Sequence, residues 1–338
     1  MKKLNFFLSV IIGGVFLYFA FKGVNLSDVW YDLKKANYLY ILPAMGALAA
    51  YIAVRAYRWG LIFRPGGVPS YRGRLSSILI GIMVNNIFPA KLGEVARAFI
   101  LGKSDGVNVS RTFGTIVLER VFDFLALLLF LVLIALASPV EREIVFHKSG
   151  ILLAGFIATG AGFIGILFAL LAIKFWTAKA SFFAGKAAGI FSKKAEIRVS
   201  GFVNSFAEGL RPLNDPLNAA KIFIVSLGQW CLSGLMTYLI MLSFGITISP
   251  VSSFFVFIIV TLGVVIPPSP GGVGTTQFFA TFALTTWYGI DSPKALSFAL
   301  VSNILVLAVL TLAGWYFLVK ESVKFADMLG GRADKEPV

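Results

Sequence analysis

Residues 75–102 form an apolar block interrupted near its centre by Asn85-Asn86-Ile87-Phe88-Pro89-Ala90-Lys91-Leu92-Gly93-Glu94-Val95-Ala96-Arg97. Proline removes an amide donor and clashes with the preceding helical turn, so this block cannot be one straight helix. Its halves, about 14 and 10 residues, are too short to cross a hydrocarbon core of about 30 Å at 1.5 Å per residue. Basic residues flank both ends: Arg55, Arg58, Arg64, Arg72 and Arg74 before it, Lys103 and Arg111 after it. Both flanks then belong on the same, positively charged side of a membrane, and the block reads as a re-entrant hairpin.

A second block, 251–289, is broken in the same way by Pro267-Pro268-Ser269-Pro270-Gly271-Gly272. Six further apolar blocks lie at 4–21, 38–59, 112–137, 149–173, 219–243 and 295–319. Apolar residues make up 58% of the 338 positions and charged ones 14%, with a mean hydropathy of +0.87. Soluble domains are about 45–50% apolar and 25% charged, so that class is excluded. The expected fold is an all-α integral membrane protein. It has about six transmembrane helices plus two re-entrant helical hairpins in one membrane domain, 1–338.

The chain carries a formal net charge of +14. In a soluble protein this would suggest nucleic acid; here the basic residues lie between apolar blocks and report topology instead. With Lys2 and Lys3 inside, alternation places 21 basic residues on the cytoplasmic side, Arg55 and Arg58 among them. Six lie outside and three, Lys91, Arg97 and Arg120, at membrane depth. Both termini are expected in the cytoplasm and the protein in the cytoplasmic cell membrane. Met1-Lys2-Lys3 and the apolar run to Phe21 resemble a signal peptide, but no small-residue cleavage site follows, so the run reads as a retained helix.

With this orientation the two halves match. Residues 1–137 run helix, helix, hairpin, helix from the inside, and 149–319 run in the same order from the outside. Pro89-Ala90-Lys91-Leu92-Gly93 aligns with Pro268-Ser269-Pro270-Gly271-Gly272 at the hairpin tips. Opposed broken helices meeting near the midplane are a transporter architecture, and irregular backbone at that depth implies a polar cavity. A passive bundle of kinked helices is the alternative. Residues 174–218 carry Lys179, Lys186, Lys193, Lys194 and Arg198 among Phe182, Phe183, Phe191, Phe202 and Phe206. They read as an amphipathic linker on anionic inner-leaflet lipids.

Three motifs then resemble a known family. They are Asn85 to Arg97, Leu118-Glu119-Arg120-Val121-Phe122-Asp123, and Pro268-Ser269-Pro270-Gly271-Gly272-Val273-Gly274. In this order, over nearly the whole chain, they resemble the lysylphosphatidylglycerol synthase transmembrane, or flippase-like, family. Multidomain members join a flippase region to a soluble aminoacyl-transferase domain. The chain ends about 19 residues after its last apolar block, so that domain is expected to be absent. Thr276-Gln277 departs from the acidic residue that often follows the second glycine-rich tip.

The candidate site joins Lys91, Glu94 and Arg97 at the first tip to Glu119, Arg120 and Asp123 two to three turns into a membrane helix. Ionisable groups at such depth pair or face a cavity. Three bases and three acids cancel, with Glu94–Arg97 and Arg120–Asp123 at pairing distance along their helices. Arg97, Arg120 and Lys91 suit a lipid phosphate, since the guanidinium fork matches phosphate oxygens. The helix beginning near Leu92 and the Gly271-Gly272-Val273-Gly274 tip would add backbone amides. A neutral network that locks the hairpin is the structural alternative. Asn85, Asn86, Gln277 and Asn303 are weaker candidates.

Cys231 and His147 are each alone in the sequence, so no internal disulfide or His/Cys metal site is expected, and no cofactor. No HExxH, no DxD pair and no Gly-x-x-x-x-Gly-Lys-Ser/Thr motif is present. These observations point to a non-enzymatic lipid flippase or transporter for a phosphate-bearing headgroup, driven by a gradient. A module that presents lipid to a separately encoded modifying enzyme is the second reading, and a homo-oligomer is compatible with either.

Overall fold

The computed structural model describes residues 2–88, 91–148, 150–265 and 269–321. Pro89, Pro267, Pro268, Lys324, Arg332 and Lys335 lie outside the described residues. The first half comprises α1 (Lys2–Phe21), α2 (Leu26–Lys35), α3 (Ile41–Phe63), α4 (Tyr71–Ile87), α5 (Leu92–Asp105) and α6 (Val109–Ala137). A short α7 (Pro139–Glu143) leads to α8 (Gly150–Phe175), α9 (Thr177–Gly189) and α10 (Lys193–Glu208). The chain continues with α11 (Pro216–Ser243), α12 (Pro250–Val265), α13 (Thr275–Tyr288) and α14 (Ser292–Lys320). Among the described residues there is no strand. The protein is an all-α, multi-pass membrane protein.

Four segments are long and apolar enough to cross a membrane: Tyr38–Phe63, Val109–Ala137, Pro216–Ser243 and Ser292–Lys320. Among the described residues two bent pairs raise the number to as many as six if each pair is one span. The chain turns by 86° between α1 and α2 and by 99° between α8 and α9. If α1 and α8 cross the bilayer, α2 and α9 lie along its surface. Helix α2 is an element that the apolar blocks do not announce. Asn25 caps it by accepting the Ser27 amide, and Val29 is buried where the helix packs on α14.

Both interrupted blocks fold back on themselves. Ser70 caps α4 by accepting the Gly73 amide, so α4 starts at Tyr71, four residues before its apolar block. Gly106, with φ of 68°, ends α5 in the left-handed conformation that glycine adopts without strain. Near the tip the backbone of Gly81 meets that of Gly93, and at the base Gly73 meets Ser104 and Asp105. The two helices therefore run antiparallel along their whole length. The second hairpin does the same: Gly263 meets Phe279 near the tip, and the Phe255 and Trp287 rings lie 5.9 Å apart near the base. At 17 and 14 residues, α4 and α5 are each shorter than a bilayer core about 30 Å thick, as are α12 and α13 at 16 and 14.

Helices α3 and α11, from the second apolar block of each half, pack together. Each touches the first helix of its own hairpin, α3 with α4 and α11 with α12, and each hairpin's second helix packs on the helix that follows. The halves differ at their edges: α13 rests on α1, whereas α8 packs on α6, α9 and α10. The segment 174–218 is also more than a surface anchor. Lys179, Lys186, Lys193, Lys194 and Arg198 are exposed, as are Phe182, Phe183, Phe191 and Phe202. Phe206, however, packs into the core, where the α10 end and Gly209 meet α6 at Gly114.

Candidate functional site

Three helices of the first half bring seven charged side chains together. Helix α3 supplies Arg55 and Arg58, α5 supplies Glu94 and Arg97, and α6 supplies Glu119, Arg120 and Asp123. Each set is spaced so that its members share a helix face. Glu119 is fully buried and sits at the centre. It accepts from Arg55 at 2.9 Å, Arg97 at 2.7 Å and Arg120 at 2.6 Å, with Arg58 3.4 Å away. Asp123 pairs with Arg58 at 2.5 Å and with Arg120 at 3.3 Å. Glu94 pairs with Arg97 at 3.2 Å, so the two local pairs expected from sequence both form.

Arg58 also donates to Ser226 Oγ at 2.8 Å, tying the cluster to α11. The Arg97 guanidinium lies over the Trp59 ring at 4.2 Å, and Trp59 Nε1 donates to Thr115 Oγ1 at 3.1 Å. An arginine held against an aromatic face this way is fixed in plane as well as in charge.

Arg55 and Arg58 correct the sequence reading, which counted them as cytoplasmic loop charges. Both are buried, Arg58 completely. Their signal was available: they fall inside the apolar block 38–59, three residues apart on one face. Including them turns a neutral set of three bases and three acids into a set with excess positive charge. The bias in basic residues survives their removal.

The cluster borders a cavity of about 680 Å³ between the two hairpin tips. Lys91, Glu94, Arg97 and Arg120 line it, as do Arg55, Asn85 and Asn86. Ser269, Gly271, Gly272 and Thr276 line it from the second tip. The tips also touch, the carbonyl of Asn86 lying against Gly271. Glu119 and Asp123 are not on the wall; they stand behind Arg97 and Arg120 and hold them. Arg97 Nε and Arg120 Nε are buried without an acceptor. Lys91, at the αL turn before α5 with φ of 53°, accepts the Glu94 amide through its backbone carbonyl, and its ammonium makes no hydrogen bond or ion pair among the described residues.

The four amide side chains mainly build the tips. Asn85 Oδ1 accepts the Gly93 amide at 2.7 Å, and Asn86 Nδ2 donates to Thr311 Oγ1 at 2.9 Å. Gln277 Oε1 accepts the Gly274 amide at 2.7 Å while its Nε2 donates to Asn303 Oδ1 at 3.2 Å. Asn303 Nδ2 donates to the Gly271 carbonyl at 2.9 Å. Gln277 thus caps α13 where an acidic residue was looked for. Pro270 opens the single helical turn Pro270–Gly272 that forms the second tip. Among the described residues no three of His, Cys, Asp and Glu gather where they could share a metal ion.

Beside this cavity lies a smaller apolar crevice of about 170 Å³ among α11, α12, α13 and α14. Met236, Phe257, Val260 and Phe298 line it, and Thr276 belongs to both spaces.

The chain is 28% identical over 301 residues to a protein named Glycosyltransferase AglD from Haloferax volcanii. That match takes in 80% of this chain but 48% of AglD, so the chain spans about half the length of that relative. It is 25% identical over 279 residues to a UPF0104 membrane protein of Methanothermobacter thermautotrophicus, covering 79% of this chain and 81% of the relative. A UPF0104 membrane protein of Pyrococcus horikoshii is 23% identical over 330 residues, 95% of this chain and 97% of the relative. No solved structure matches. The model of the lysylphosphatidylglycerol synthase transmembrane region matches residues 6–314, and the chain belongs to that family.

Proposed function

We propose that this protein moves a lipid with a phosphate-bearing headgroup across the cytoplasmic membrane, without catalysing a reaction and without hydrolysing a nucleotide. One observation carries the reading: Arg55, Arg97, Arg120 and Lys91 line a cavity between two hairpin tips. A cavity at that depth gives a headgroup a polar station between leaflets. The adjoining crevice, joined at Thr276, offers apolar surface for a lipid tail, which a soluble anion would not need. The two halves act as an inverted repeat rocking about the α3–α11 contact, with both termini in the cytoplasm and the α9–α10 segment on the inner leaflet.

The test is reconstitution of the full chain in liposomes with fluorescent phospholipids, scoring leaflet exchange by a membrane-impermeant quencher. Exchange faster than in protein-free liposomes supports transport. A second reading draws on the AglD match, in which the shared region is about half of a longer protein. On that reading the cavity presents lipid to a modifying enzyme. Saturable lipid binding with no exchange would select it.

A further inference from the structure

We infer that the cavity selects lipids that end in a phosphate monoester over lipids whose phosphate is a bridging diester. This rests on the transport reading above and names the substrate class for the same site. The starting point is the balance of charge. Among the described residues, Arg55, Arg58, Arg97, Arg120 and Lys91 face Glu94, Glu119 and Asp123, an excess of two positive charges. The described residues of the opposite wall, Val264, Ser269, Gly271, Gly272 and Thr276, are uncharged.

The unmatched charge also has a position. The carboxylates are already engaged: Glu119 with four arginines, Asp123 with two, Glu94 with one. Arg58 is fully buried and is not on the cavity wall. On the cavity wall the Arg120 side chain is 41% exposed, and the Lys91 ammonium has no hydrogen bond or ion pair among the described residues. Arg97 is only 1% exposed and is held by Glu94 and Glu119, so it adds charge to the site rather than a free donor.

A phosphodiester offers one negative charge and two non-bridging oxygens. A phosphate monoester offers about two charges near neutral pH, matching the two unbalanced positive charges, and a third terminal oxygen. The diester leaves one cation unpaired in a site largely shielded from water, which is costly. Free inorganic phosphate shares the monoester's chemistry, and the apolar crevice at Thr276 is what favours the lipid.

The experiment uses the full chain in detergent and measures binding of dioleoyl phosphatidic acid, dioleoyl phosphatidylglycerol and inorganic phosphate. The two lipids share their tails and differ in phosphate class. Phosphatidic acid is expected to bind at least about tenfold more tightly, the value of one added hydrogen bond between charged groups. Lys91→Asn, a residue type that tolerates the αL backbone, should bring the ratio of the two affinities close to one, and Lys91→Arg should preserve it. Equal affinities in the unaltered protein would overturn the inference and leave transport standing, whereas binding of neither lipid would remove the transport reading itself. A ratio unchanged in Lys91→Asn would overturn the charge assignment. Inorganic phosphate is expected to displace phosphatidic acid only at far higher concentration; displacement at equal concentration would make this a soluble-phosphate site and overturn the lipid assignment.

Discussion

Asn85 accepts the backbone amide of Gly93 across the first hairpin tip at 2.7 Å. The second tip has the same device in Gln277 and Gly274, also at 2.7 Å. In each case a side-chain carbonyl satisfies an amide at the mouth of a short helix that no backbone group reaches. Asn85→Ala is therefore expected to cost about 1–3 kcal/mol, the penalty for an orphaned amide away from water. Asn85→Asp, which keeps the acceptor, should lose less. Thermal unfolding in detergent measures both, and an alanine variant as stable as the parent would show that water satisfies the Gly93 amide instead.

The arginines can be separated by their surroundings. Arg97 is buried against Trp59 and two carboxylates, so Arg97→Ala should destabilise the protein by about 1.5–3 kcal/mol: Glu94 loses its partner, while Glu119 keeps Arg55, Arg58 and Arg120. Arg120 is the cleaner probe of function because its side chain is 41% exposed. Arg120→Lys keeps the charge and loses the planar fork, and is expected to remain folded while transport falls about tenfold. A stable Arg120→Lys protein that transports normally would count against phosphate binding at that residue.

The proposed inverted repeat requires the two hairpin bases to lie on opposite sides of the membrane. In a Cys231→Ala background, needed because Cys231 is exposed, Ser104→Cys and Ser292→Cys report the two bases. On intact cells a membrane-impermeant maleimide should label the cysteine at 292 and spare the one at 104. Labelling of both to the same extent would end the inverted-repeat reading.

Glu141, in the short helix after α6, supplies a pH dependence. Burial raises its pKa, but donors from Ser138, Ser252 and Tyr288 together outweigh burial and hold the carboxyl below its ordinary value. The Tyr288 hydroxyl donates at 2.8 Å. A depressed folded-state pKa means that this contribution is complete above the unfolded glutamate value, about 4.3, and disappears as pH falls through the folded value. Glu141→Gln should therefore lower the thermal midpoint at pH 7, with the gap to the parent closing progressively below about pH 4. A gap that stays constant from pH 7 to pH 3 would show that the carboxylate charge is not involved.

Much of this was legible because proline and apolar run length are strong signals in a membrane chain. The breaks at Pro89 and at Pro267 to Pro270 located both hairpins, and Glu94–Arg97 and Arg120–Asp123 were readable as local pairs. Arg55 and Arg58 were not assigned to the cluster because a basic residue near a helix end looks the same in sequence whether it faces headgroups or turns inward. Only α6, packed against α3, shows that Glu119 and Asp123 are what they meet. Helix α2 was missed although Leu26, Val29, Trp30 and Leu33 recur at helical spacing, because its ten residues sit between two strongly apolar blocks. The amides Gln277 and Asn303 carried no pattern that separates tip-building from ligand contact.

Every charged residue of the cluster lies between positions 55 and 123, and this bears on how the protein is made. A nascent α6 carrying Glu119, Arg120 and Asp123 is expensive to release into lipid by itself. Arg55 and Arg58 leave the ribosome earlier, on α3, so the counter-ions are already in place when the acids arrive. The first half can thus settle its charges before the second is synthesised. The second hairpin contributes no charge and is made later, as an uncharged roof over a site whose charged residues are already in place.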